Sequence, residues 1–249
     1  MSAYTRLGIP AAILATTLIA HAAGEILWDD TFQTKPVMAQ GAYLYVPSTA
    51  VDSFTLLEPG RLQAAVVIDG TSTGPERAEL GLWDPANTAQ VHVRDPINSE
   101  RRFDFSIELP ANWPLSNHKT VVCQWFQDSS IHLNPPWSVE VVRDEFRFVR
   151  VINGTRTVLA VVPGVIGQRH AFVFSFRWAT GPSGIARAWL NGTQVINTNG
   201  ATLSKKGKKT VGAYFRMGAY LPGARTSGLY PVGFERNVVL NSLQKREGL

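Results

Sequence analysis

The sequence holds a single cysteine, Cys123, in 249 residues. One cysteine cannot close a disulfide within its own chain, so no covalent staple holds the fold and stability has to come from the core. Its setting, Thr120-Val121-Val122-Cys123-Gln124-Trp125-Phe126, is that of a small buried hydrophobe without catalytic duty, and no histidine-cysteine spacing outlines a zinc site. No repeat period, low-complexity tract or linker rich in Pro, Gly or Ser divides the chain. Long apolar runs are missing too. Leu7 to Ala20 falls short of the roughly 20 residues that a membrane span requires, and nothing later approaches that length.

That first run has another meaning. It follows a weakly basic lead, Met1 to Arg6, and precedes Ala20 and Ala22, the small residues that suit cleavage after Ala22. Residues 1–22 therefore read as a secretory signal and 23–249 as one soluble, secreted domain, long enough for one sizeable core. The formal net charge is +5, and in a secreted protein this does not point to nucleic acid.

Glycine and proline are frequent and two-residue alternation outnumbers helical periodicity, so an all-β domain is expected. Phe103, Phe105, Ile107 and Leu109 share one face of a segment whose other face is Arg102, Asp104, Ser106 and Glu108. Phe172, Phe174, Phe176 and Trp178 repeat the pattern, as do Phe146 and Phe148 around Arg147. Trp125, Trp178 and Trp189 read as core by the same alternation. Asn153-Gly154 and Asn191-Gly192 are hairpin turns, and the threonine after each also makes them N-glycosylation acceptors. A single antiparallel two-sheet β-sandwich is the economical architecture.

Three strands carry polar groups where buried strands would not. In Tyr214-Phe215-Arg216-Met217-Gly218-Ala219-Tyr220, the two-residue period sets Tyr214, Arg216, Gly218 and Tyr220 on one face, with the glycine leaving room for a ligand near the backbone. In Glu76 to Leu82, Arg77, Glu79 and Gly81 oppose Ala78, Leu80 and Leu82. In Val121 to Phe126, Gln124 shares a face with Val122 and Phe126. Each alone reads as a solvated face; three in one sandwich can line a groove.

These strands resemble the jelly-roll, concanavalin-like polysaccharide lyases, whose cleft is lined by an Arg-Ser/Thr-Glu-Leu strand, a Gln-x-His-like strand and a Tyr-Phe-Lys-Ala-Gly-x-Tyr strand. Here they stand as Arg77-Ala78-Glu79-Leu80, Gln124-Trp125-Phe126 and Tyr214 to Tyr220, in that order. Asn134-Pro135-Pro136-Trp137-Ser138-Val139 and Ala188-Trp189-Leu190-Asn191-Gly192 look more like the glucuronan lyase and heparin lyase I group than the alginate lyases. The resemblance implies a monomeric enzyme that cleaves a uronate-containing acidic polysaccharide by β-elimination. It implies Tyr220 as catalytic acid and base, with Arg216 a source of positive potential for it. Gln124 and Arg77 would neutralise the carboxylate, and Arg216, Tyr214 and Glu79 would bind substrate. No cofactor is required for catalysis, and sandwiches of this kind often carry a structural calcium ion, here near Asp29-Asp30. Lys205 to Lys209 is either a guide for the polyanion or a solvated loop.

The departures bear on substrate. Phe126 stands where alginate lyases keep a histidine, Gly81 where they often have arginine, and Pro222 where they have glutamine. In D-glucuronate and D-mannuronate the C5 proton and C4 oxygen leave from one side of the ring, so a single tyrosine serves both. Guluronate and iduronate call for a second group across the sugar. His92, His118, His132 and His170 lie outside the three strands, which favours glucuronate. An alginate lyase or a non-catalytic lectin-like sandwich are the alternatives. A hydrolase would need two facing carboxylates, and the three strands supply only Glu79.

Overall fold

A computed structural model describes residues 25–33, 43–46, 53–68, 77–82, 94–128, 130–131, 134–164, 166–223 and 230–249. The proposed signal at 1–22, together with His92 and His132, lies outside the described residues. The strands, in chain order, are β1 Ile26–Asp30, β2 Tyr43–Val46, β3 Phe54–Glu58, β4 Arg61–Val67, β5 Arg77–Leu82, β6 Glu100–Glu108, β7 Thr120–Phe126 and β8 Trp137–Val142. They continue with β9 Glu145–Ile152, β10 Thr155–Pro163, β11 Arg169–Arg177, β12 Ile185–Leu190, β13 Thr193–Asn199, β14 Tyr214–Tyr220 and β15 Glu235–Glu247. Every pairing is antiparallel. One sheet runs β13-β12-β11-β6-β15-β4-β3, with β1 also on β15, and the other runs β10-β9-β8-β7-β14-β5-β2. This is the all-β sandwich that the alternation predicts. Among the described residues no helix is long and apolar enough to cross a membrane.

The core fills the space between the sheets with the rings expected there. Trp125, fully buried, meets Phe103, Phe105, Phe174, Phe176 and Phe215 at centroid distances of 5.4, 6.5, 4.6, 5.0 and 5.0 Å. Phe176 in turn stacks on Trp178 at 4.2 Å. Aromatic pairs at these separations add to burial itself, and truncating such a ring costs about 3–5 kcal/mol. Trp125 therefore fixes the middle of β7, and Gln124 and Phe126 on either side must point to the opposite face of the sheet. Cys123 is in the same core, where burial pushes its thiol well above the usual range. Both hairpin turns form as read: Asn153-Gly154 and Asn191-Gly192 have φ of 49° and 87°, and 50° and 81°, the pair of left-handed residues that a tight hairpin of this twist uses.

The structure corrects three expectations. Trp189 is half-buried on the outer face of its sheet while its neighbours Ala188 and Leu190 take the core side. The alternation starting at Ala186 decides the parity, and the ring size does not. In β7 the pairing with β8 slips between Val121 and Cys123. A bulge at Val122 turns that residue into the core and Val121 out of it, reversing the parity read for both. Gly218 does not leave room for a ligand. An added Cβ would lie 2.0 Å from the Ala78 carbonyl oxygen of β5, and φ is 144°. The missing side chain lets β5 close against β14.

Gly218→Ala should therefore destabilise the protein by about 3 kcal/mol, the combined scale of an overpacked contact and a strained φ, read as a lower denaturant midpoint. Because β5 would have to move, turnover should fall further than that loss of stability explains.

Candidate active site

β14 lies between β7 and β5, so the three polar strands of the sequence are neighbours in one sheet. Register then arranges their outward side chains into rows that cross the strands. Arg77 pairs with Tyr220, Tyr220 with Val121 and Val121 with Glu140. Four residues along β14, past the pair of Gly218 with Glu79, Gly81 pairs with Arg216, Arg216 with Gln124 and Gln124 with Ser138. The two rows form the floor of a cleft of about 280 Å³. Arg77, Gln124, Tyr214, Arg216 and Tyr220 all line it, so five of the six residues singled out in the sequence meet on one surface.

The sixth is beneath that surface. Glu79 is fully buried, which leaves it no area to offer a sugar and corrects its expected place among the substrate-binding residues. Its Oε1 accepts a hydrogen bond from Gln124 Nε2 at 2.5 Å, and its Oε2 lies 3.7 Å from Arg77 Nη1 and 3.8 Å from Arg216 Nη1. A carboxylate can only accept. It therefore turns the NH₂ end of Gln124 towards itself, leaving the second N–H of that amide for a ligand. Two guanidinium groups thus lie against this one carboxylate.

The two tyrosines have different surroundings. The Arg77 guanidinium lies over the Tyr220 ring, 4.1 Å from its centroid, so the cation against this phenol comes from β5. Arg216, which the sequence reading placed as that source, donates to the Tyr214 hydroxyl at 3.0 Å. Tyr214 is buried, and burial pushes its phenol up, while Arg216 and Arg94 pull it down. Tyr214 is thus a neutral hydroxyl whose oxygen accepts from Arg216 at the wall of the cleft. Phe126 packs edge-on against Tyr214 at 5.7 Å and forms part of the cleft wall.

Sequence reasoning missed Glu140, Lys119 and Arg156, which line the same cleft. Ser138 and Glu140 alternate with Trp137, Val139 and Val141, the parity signal that exposed the other three strands, and it could have shown Glu140. Lys119 precedes its strand and Arg156 stands alone, so neither carries a local pattern. Arg94 was missed as well and sits 5.0 Å from the Tyr214 ring centroid. Among the described residues, Lys205 to Lys209 form an exposed turn that does not line the cleft. His170 is buried against Phe146, and His118 packs on Tyr230 and Phe234. Near the suggested calcium position Asp30 accepts the Phe32 amide, and no group of three or more His, Cys, Asp or Glu that could hold a metal is found among the described residues.

Residues 26–234 match the family model described as polysaccharide lyase. The chain belongs to that family. Solved structures similar to it include an endo-β-1,4-glucuronan lyase from the fungus Trichoderma reesei, with TM-score 0.58, 16% identity, and 76% of this chain and 81% of that one covered. An alginate lyase of polysaccharide lyase family 7 gives TM-score 0.58 and 18% identity, covering 80% of this chain and 85% of that one. An alginate lyase from Pseudomonas aeruginosa gives 0.53 and 14%, covering 81% and 88%. At these identities the likeness is one of fold. No curated protein matches the chain in sequence.

For this polysaccharide lyase, Glu79→Gln keeps the shape and removes the charge that two arginines share. Breaking a buried pair from one side costs about 3 kcal/mol, so the unfolding midpoint should drop accordingly and turnover should fall at least about tenfold through the released Gln124 amide.

Proposed function

We propose that this polysaccharide lyase is a secreted enzyme that cleaves a glucuronan-type polymer by syn β-elimination, with Tyr220 as both base and acid. The observation that carries the reading is the arrangement of Arg77 against the Tyr220 ring, beside a Gln124 amide held by Glu79. Abstraction of the C5 proton places extra negative charge on the uronate carboxylate, and fixed donors aimed at that charge are what lower the barrier. The free N–H of Gln124 and the guanidinium of Arg77 are those donors. Both are set by strand register and by Glu79 before substrate arrives, so little reorganisation is left for the reaction.

A phenol is a weak base at neutral pH, its ordinary titration lying near 10. The positive charge of Arg77 at the Tyr220 ring is the electrostatic help that a phenolate requires. Tyr220 as phenolate takes the C5 proton, the C4–O4 bond breaks as the C4–C5 double bond forms, and the proton passes from Tyr220 to the departing O4. The tyrosine ends as it began. This economy works only where proton and leaving oxygen share a side of the ring, as in D-glucuronate and D-mannuronate. The wall at Phe126 supports the reading, since an aromatic hydrocarbon can exchange no proton. Among the described residues no histidine lines the cleft.

Two measurements test this. Tyr220→Phe should reduce turnover by about 10³-fold or more while polymer affinity changes less than about threefold, because the ring and its contact with Arg77 remain and only the proton carrier is lost. Near-normal turnover would remove Tyr220 from the chemistry. Release of unsaturated uronate, followed in the ultraviolet, should be fastest on glucuronan, slower on polymannuronate and slight on polyguluronate. Polyguluronate cleaved faster than the other two would overturn the syn reading and direct mutation to His92 and His132.

A further inference from the structure

The end of the cleft beyond Val121 has no part in the chemistry above, yet it is built with the same economy. Glu140 is 4% exposed. Its Oε2 accepts from Arg156 Nη2 at 2.8 Å, and its Oε1 lies 3.5 Å from Lys119 Nζ. Neutralising a buried carboxylate takes one cation. Here there are two, with side chains 47% and 42% exposed, and both line the cleft. Each side chain stays partly exposed, which keeps donors in reach of solvent. One carboxylate flanked by two cations is also the pattern of Glu79 with Arg77 and Arg216, on the opposite side of Tyr220.

Register fixes the separation. Tyr220 pairs with Val121 and Val121 with Glu140, so Glu140, the centre of the second cluster, lies two strands from the tyrosine, roughly 10 Å at the usual strand spacing, with Lys119 just ahead of β7 and Arg156 beyond it on β10. A group at that distance cannot touch the carboxylate of the reacting sugar, but it can reach that of a sugar further along the chain. We infer that Lys119 and Arg156, oriented by Glu140, form a second anion subsite that binds the carboxylate of a neighbouring uronate on the same polymer. The inference rests on the uronate-polymer reading above, and it makes the enzyme respond to charge at two places along its substrate. Glu140 is the positioning residue: its buried charge keeps two repelling cations close enough to grip one anion.

The test compares the Lys119→Ala/Arg156→Ala double variant with its parent, both carrying Tyr220→Phe so that the polymer stays intact during titration. Against polyglucuronate the double variant should bind about tenfold more weakly, as expected for the loss of charge-assisted hydrogen bonds, with a shallower dependence of affinity on salt. Against the same polymer with its carboxylates reduced to alcohols, parent and variant should bind alike. Unchanged affinity for polyglucuronate overturns the subsite, as does an equal loss on the neutral polymer, which would mark a change of shape. A drop in melting temperature with affinity retained would reduce the pair to neutralising Glu140, and also overturns it. If the enzyme with Tyr220 intact cuts no uronate polymer while the double variant still loses affinity, the subsite stands and the lyase chemistry assigned above falls. If it cuts normally and the affinities match, the reverse holds.

Discussion

A single negative charge with no route to water sets the geometry of this cleft. Glu79 is buried and can only accept, so the donors around it are thereby oriented: the amide NH₂ of Gln124 and the guanidinium groups of Arg77 and Arg216. Isolated, such a charge would be too costly to bury. Its stabilisation requires β5, β14 and β7 to lie side by side in one register, and that requires Gly218, because any side chain there would strike the Ala78 carbonyl. The aromatic core acts from the other side. Trp125 and Phe215 hold β7 and β14 against the opposite sheet, so the polar residues between them on each strand have no choice of face. Hydrophobic packing thus decides which residues enter the cleft, and buried electrostatics decides how they point.

Much of this was legible in the sequence, because a period of two is a strong constraint once an aromatic has chosen the core. The faces of Phe103 to Leu109 and Phe172 to Trp178 were readable in that way, and so were the cleft positions of Arg77, Gln124, Arg216 and Tyr220. What was not legible has particular physical causes. A bulge such as that at Val122 breaks the period without a local signature, since valine at 121 and valine at 122 are chemically the same. Trp189 misled because a large ring is taken for core wherever it stands, whereas Ala188 and Leu190 beside it fill that space. The burial of Glu79 depends on what three separate strands bring around it. The pairing of Arg77 with Tyr220, which Arg216 was expected to provide, depends on register between strands that lie far apart in the chain. Strand register is a long-range property, and no single stretch contains it.

The rows that cross the sheet have a consequence for how such an enzyme changes over time. Arg77, Tyr220 and Glu140 stand on β5, β14 and β8, so positions next to one another in the cleft are remote in the chain. A polymer lying along a row is read one strand at a time, at intervals set by backbone hydrogen bonding, about 4.8 Å per strand. Substituting a residue on one strand alters one reading position and leaves the interval to the next unchanged. The sheet behaves as a ruler with exchangeable marks, and preference for one sugar or charge pattern over another can drift without the fold being redrawn.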